Sequence, residues 1–188
     1  MRRDRKFNNA FSILTNLEFS SSSNALHKNK GENGLTFMGI YQVAHPDWVG
    51  WDRIIKTLLA QKGNVKEASI ILMENTNLPD LVSDFYKKKY WDRARLDEIL
   101  DQRIGEEIFI FGVNVGMRTA IRKAQKLIGV VADGIIGSQT ISALNSYEAS
   151  KFDMEFDDIE KQYYADLIEK KPSFKCFENG WKNRAEAV

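Results

Sequence analysis

The segment "QRIGEEIFIFGVNVG", Gln102 to Gly116, is the most apolar stretch of the chain, and it constrains the fold more than any other. It reads as a central buried helix, stopped at Gly116, which the other elements have to cover. Those others are helical in pattern as well. "WDRIIKTLLAQ" and "VKEASIILMENT" are amphipathic, with Gly63 and Asn64 between them. "LPDLVSDFYKKKYWDRARLDEI" reads as a single helix with Asn77 as its cap and Pro79 in its first turn. "MRTAIRKAQKLIG", "SQTISALN", "DIEKQYYADLIEKK" and "GWKNRAEAV" follow, divided by the turn "VADGIIG" and by Pro172. At the other end, Phe7, Ala10, Phe11, Leu14 and Leu17 recur at helical spacing, which predicts a first helix from about residue 5 to Glu18. Only residues 25 to 41 break the rule. There the turn signals "NKG" and "ENG" flank the short apolar run "LTFMGIY", and one or two small hairpins are expected. The fold class is mainly α with a small β insert near the N-terminus.

Composition removes several classes of function. A net charge of +1 over 188 residues gives no overall field for nucleic acid or an anionic membrane. Nothing approaches the roughly 20 consecutive apolar residues of a membrane helix, so no membrane insertion is expected. One cysteine, Cys176, and two histidines, His27 and His45, leave no intramolecular disulfide and no cysteine- or histidine-rich metal site. The basic start is not followed by a continuous apolar run, so the expectation is synthesis in the cytoplasm without a leader peptide.

The stretch "LEFSSSSNALHKNKGENGLTFMGIY", residues 17 to 41, holds the candidate chemistry. Glu18 is placed in the last turn of the first helix, where free carbonyls carry partial negative charge. Leu17 and Phe19 would add desolvation, so its pKa is expected to be raised. A carboxyl kept protonated near neutrality is what a general acid requires. Glu32, on a turn with Asn33 and Gly34, is the candidate for the second group, and Thr36 for orienting a water. Paired carboxylates of this kind suit cleavage of a glycosidic bond. Glu18 and Glu32 each also have a bland reading as a solvated surface residue, and His27 is read first as a loop residue bonded to backbone, or in a supporting role, ahead of nucleophile or ligand. Ser20 to Ser23 show no paired base that would make one of them a nucleophile.

Taken in order, Glu18, the polar loop, Glu32 with its glycine and then Thr36, Gly39 and Ile40 resemble the glycoside hydrolase family 108 muramidases. That family reads "E-G-G-Y" and then "D-x-G-G-x-T-x-x-G-I", against "EFSS…HKNKGENGLTFMGI" here. "FYKKKYWDRARLDEI" is similar to the family's "Y-x-x-x-Y-W" element, and "GWKNR" to its closing "G-W-x-x-R". "FGVNVGMRTAIRKAQKLIGVVADGIIGSQTISAL" resembles the peptidoglycan-binding region that follows. Two features depart from the pattern. Phe19 and Ser20 replace the two glycines, and the family's aspartate aligns either with Glu32 or, by distance from Glu18, with His27. Glu32 is favoured because it keeps the carboxylate.

The resemblance implies a lysozyme-like catalytic region over residues 1–107 and an integrated helical peptidoglycan-binding region over 108–188. It implies hydrolysis of the β-1,4 bond between N-acetylmuramic acid and N-acetylglucosamine. Glu18 would be the acid, Glu32 and Thr36 would complete the catalytic set, and His27, Tyr41 and Trp48 would contact the glycan. Trp51, Tyr90 and Trp91 are further candidates to line the groove. No metal and no cofactor is called for. The expected partner is the peptidoglycan glycan strand, bound by a monomer that acts on the wall after release from the cell. A lytic transglycosylase using the same acid, and a non-catalytic wall-binding or export-assisting protein, stay open as alternatives. "ADGIIGSQT" also reads as a plain connection in which Asp133 and Ser138 cap and the glycines permit tight turns. Asn114 must find hydrogen-bond partners if buried, and reads as a structural tie.

Overall fold

The computed structural model describes residues 2–18, 21–29, 32–74, 77–185 and 188, with the side chains of 2–4, 18 and 184 outside that description. Helices dominate, and one small sheet interrupts them: α1 (Arg2–Glu18), β1 (Leu26–His27), β2 (Thr36–Phe37), β3 (Ile40–Tyr41), α2 (Trp51–Ala60), α3 (Val65–Glu74), α4 (Leu78–Tyr86), α5 (Gln102–Val115), α6 (Met117–Leu127), α7 (Ser138–Ser146), α8 (Ala149–Lys170) and α9 (Glu178–Ala185). The fold is mainly α with a small β insert, as the sequence pattern requires. Two compact units divide the chain: residues 15–86, and residues 1–14 together with 87–188.

In the 15–86 unit the sheet runs β1-β2-β3, antiparallel throughout. Met38 and Gly39, both at positive φ (44° and 77°), make the two-residue turn between β2 and β3. Two consecutive left-handed residues match the twist of a tight hairpin. Helices α2 and α3 part at Lys62 and Gly63, again both left-handed. Asn64 then starts α3 by accepting from the Glu67 N–H at 3.2 Å. Trp51, Ile54, Ala68, Ser69, Leu72, Leu78, Val82 and Tyr86 are the buried positions of α2 to α4.

In the other unit α5 is the buried helix expected from its composition, with Ile108, Phe109 and Phe111 fully enclosed. Asp101 caps its start by accepting from the Arg103 N–H at 2.9 Å, and Gly116 at φ 90° ends it. Phe7 from α1 meets Trp91 and Phe109 edge-on, at ring-centroid distances of 5.8 and 5.9 Å. Lys6 donates to the carbonyls of Ile99 and Leu100, while Gln102 donates to the Lys6 carbonyl at 2.9 Å. Gly112 is where α6 passes α5. A Cβ there would lie 2.2 Å from the Met117 sulfur.

Two expectations need correction. The single helix anticipated from Leu78 onward stops at Tyr86. It continues as one π-helical turn, Lys87–Trp91, closed by Asp92 N–H donating to the Lys87 carbonyl at 2.9 Å. The wider turn sets Trp91 into the core, and Arg95, left-handed at φ 51°, then ends the helical path. Nor do Asp133 and Ser138 cap α7, whose N-cap is Gly137 with no side-chain bond. Asp133 instead accepts from the Ile135 N–H at 2.8 Å, an Asx turn within the loop. Gln125 organises that loop. It is buried, donates to Asp133, the Ile135 carbonyl and Thr140, and accepts from the Gly134 N–H. Asn114, which is exposed, donates to the Tyr164 hydroxyl at 2.7 Å and ties α5 to α8.

The least expected feature of this core is acidic. Glu107 on α5 and Glu160 on α8 are both buried. Burial pushes the Glu107 carboxyl up to about 10, helped by the charges of Glu160, Asp157 and Asp153 and by a hydrogen bond with Asp153. Glu107 is therefore a neutral acid at neutral pH, donating its proton toward Asp153, and its Oε1 is buried without a hydrogen-bond partner.

Candidate active site

The register of the small sheet sorts its side chains. Leu26, Phe37 and Ile40 lie opposite one another across the three strands, as do His27, Thr36 and Tyr41. Directly opposed residues in antiparallel strands share a face. The first row is the apolar anchor, each member at 1% exposure or less. The second row gathers three of the residues singled out from sequence. Thr36 is buried at its centre, and His27 and Tyr41 are half-exposed on either side.

Several bonds hold this row in place. The buried Ser69 hydroxyl of α3 accepts from the Leu26 N–H at 2.9 Å and donates to the Ser22 carbonyl at 2.5 Å, which pins β1. The Tyr86 hydroxyl donates to the Met38 carbonyl at 2.9 Å and fixes the hairpin turn. Gln42 closes the sheet's end by donating its N–H to the Leu35 carbonyl and accepting the Leu35 N–H on its side chain. His27 Nδ1 donates to the Asn24 carbonyl at 3.1 Å, which in a neutral ring leaves Nε2 as an acceptor. Ser69, Tyr86 and Gln42 were not singled out from sequence. A serine on the apolar stripe of "VKEASIILMEN" is the only signal that pointed to one of them.

Glu32 stands on the β1–β2 connection, half-buried. Its N–H donates to the Asn29 carbonyl, and the Asn29 amide donates back to Glu32 Oε2, each at 3.1 Å. This reciprocal pair holds the carboxylate in one orientation as an acceptor. Glu18 is the last residue of α1, the position its sequence pattern indicated. Its side chain, and with it the expected rise in pKa, lies outside the described residues, as do Phe19 and Ser20.

The aromatic candidates divide. Tyr41 belongs to the His27–Thr36 row. Trp48 stacks on Phe37, of the opposite row, at 6.4 Å and meets Trp51 edge-on at 5.3 Å. Trp48 also covers Gly50 so closely that a Cβ there would lie 2.3 Å from its ring. Trp51 is buried and donates its indole N–H to the His45 carbonyl at 2.7 Å. Trp91 is in the core of the other unit. Among the described residues no cluster of histidine, cysteine and carboxylate side chains suits a metal ion, and no helix is long and apolar enough to cross a membrane.

Residues 24–116 match the family model described as "Glycosyl hydrolase 108", and residues 119–186 match the one described as "Predicted Peptidoglycan domain". The chain belongs to the glycosyl hydrolase 108 family. With both models matched in sequence, this glycosyl hydrolase 108 protein is a peptidoglycan hydrolase of the glycosidase class, and peptidoglycan is its substrate partner. A solved structure, that of Brucella abortus SagA, is similar in fold, with a TM-score of 0.65 and 22% identity over 97% of this chain and 91% of that one. No curated protein matches. The hydrolase model begins at Asn24, so His27, Glu32, Thr36, Tyr41 and Trp48 fall within it and Glu18 lies before it.

Proposed function

We propose that this glycosyl hydrolase 108 protein is an N-acetylmuramidase, cleaving the β-1,4 bond between N-acetylmuramic acid and N-acetylglucosamine in the bacterial cell wall. One observation carries the reading. Inside the family span, the strand register sets His27, Thr36 and Tyr41 side by side on one face, and Asn29 orients the Glu32 carboxylate on the connection between the first two strands. Such a row offers what a glycan site needs: an aromatic surface for a pyranose ring, hydroxyl and imidazole groups for its polar edges, and a carboxylate.

In this mechanism Glu18 protonates the glycosidic oxygen as the bond to the anomeric carbon breaks. Positive charge develops on that carbon and its ring oxygen. Glu32 offsets the charge or, with Thr36, orients the water that attacks. The water oxygen joins the anomeric carbon, and its proton returns through the carboxylates. The test is a turbidity assay on purified sacculi with wild type and Glu18→Gln, followed by mass spectrometry of the products. Glu18→Gln should lose clearing by at least about a hundredfold, the scale of a lost general acid. Undiminished clearing by the variant refutes the assignment. Products carrying an anhydro end would replace hydrolysis by transglycosylation with the same acid.

A further inference from the structure

Within the unit formed by residues 1–14 and 87–188 lies a cavity of about 690 Å³ that the catalytic reading does not use. Lys89, Arg93, Arg95 and Arg118 line it, and none of its lining residues is acidic. In a chain whose net charge is +1, four cations around one hollow are a local excess that calls for a reason.

The four cations are not equivalent. Arg95 is already neutralised: its guanidinium donates twice to Glu98, at 2.7 and 2.8 Å. Arg93 and Arg118 make no ion pair with any described residue. The acid that acts on Arg118, Asp133, has its carboxylate engaged by Gln125 and by the Ile135 N–H. Lys89 is crowded on the same side. Partial burial and then the neighbouring Arg93 charge hold its ammonium below the usual lysine range. An anion placed here would relieve that repulsion. The remaining wall is apolar, from Met117, Ile121, Ile135 and Ile136. The start of α6, with Gly116 as an N-cap that supplies no side-chain acceptor, adds partial positive charge.

We propose that this cavity binds the peptide stem of peptidoglycan, with Arg93 and Arg118 holding stem carboxylates and the isoleucine-lined wall receiving alanine methyl groups. The proposal rests on peptidoglycan being the substrate. The stem suits the cavity because it alternates free carboxylates with short apolar side chains, whereas the glycan strand between lactyl groups is uncharged. Arginine suits the role because its planar fork pairs with a carboxylate through two bonds.

The experiment titrates the full chain with a soluble stem tetrapeptide, alanine–D-isoglutamate–diamino acid–D-alanine, by calorimetry, so that no bond cleavage is needed for the readout. The variant is Arg93→Gln/Arg118→Gln. Both side chains are exposed, and glutamine keeps the Cγ that lies against Gly134 at position 118. Wild type should bind the peptide. The double variant should bind it at least about tenfold more weakly, and so should wild type offered a peptide amidated at every carboxylate. Lys56→Gln/Lys66→Gln, with the same loss of charge on α2 and α3, should bind as wild type does. Equal binding by wild type and the arginine variant, or equal binding of the amidated peptide, overturns the proposal. Equal weakening by the lysine variant, or displacement of the peptide by inorganic phosphate at the same concentration, also overturns it, because either reduces the cavity to a general anion site. Should the double variant lose its helical circular dichroism, the two single variants give the same comparison. A negative result here leaves the turbidity assay to judge the glycosidase reading, and loss of that reading leaves this binding result legible.

Discussion

Glu107 gives the fold a pH dependence that a single substitution removes. Its carboxyl, raised from 4.5 to about 10 by burial and by Glu160, Asp157 and Asp153, keeps its proton in the native state across the neutral range. The unfolded chain releases that proton near the ordinary value. Between the two values the native state binds one proton more, so stability falls as pH rises. The group's full contribution is present below about pH 4.5 and is lost progressively on the way to about 10. The slope is about 1.4 kcal/mol per pH unit, or about 3 kcal/mol by neutrality. Glu107→Gln keeps the shape of the neutral acid, lets an amide N–H donate to Asp153, and has no proton to release. Urea unfolding of both proteins at several values between about pH 5 and pH 8 should give nearly equal midpoints at the acid end. The variant should then gain steadily, to an advantage of about 3 kcal/mol near neutrality. Parallel pH profiles for the two proteins would mean that Glu107 ionises in place, and the reasoning would fail.

Three further outcomes follow from the geometry. Ser69→Ala leaves the buried Leu26 N–H without its acceptor and should cost about 1–3 kcal/mol in urea unfolding, with reduced clearing of sacculi because β1 carries His27. Gln125→Ala removes four hydrogen bonds from the 130s loop and should destabilise by about 2–4 kcal/mol, and Gln125→Glu, which turns a buried carboxylate oxygen toward Asp133 and the Ile135 carbonyl, should cost at least as much. Gly39→Ala places a Cβ at φ 77° in the hairpin turn and should cost about 1 kcal/mol by thermal melting; an unchanged melting temperature would argue against the two-residue turn.

Much of this architecture can be read from periodicity, because one buried face per helix leaves a regular trace. Phe7, Ala10 and Leu14 of α1 are all buried, and α5 has the enclosure its composition demands. The hairpin is marked by Gly39, and the row of Thr36 and Tyr41 follows from alternation once the turn is placed. Other features leave no such trace. Glu107 and Glu160 sit where a charged residue would be assigned to solvent, and it is the packing of α5 against α8 that brings them together. The π-helical turn adds a residue to a pattern whose period still reads as an ordinary helix. Arg93 and Arg118 belong to separate segments that sequence alone gives no cause to join. As for Glu18, its place at the end of a helix is legible, while what its carboxyl faces depends on tertiary neighbours.

The pairing of Phe7 with Phe109, and of Lys6 with the backbone at Ile99 and Leu100, has a consequence for biosynthesis. A ribosome delivers the first helix long before the strip it must lie on. Residues 15 to 86 form a compact unit of their own and can settle while translation continues. The opening helix has no such company, and its greasy side must wait in the open until the middle of the message has been read. A nascent chain stalled before codon 109 would therefore carry one finished half and one adhesive tail, which makes pauses in that window the moments of greatest exposure to chaperones and proteases.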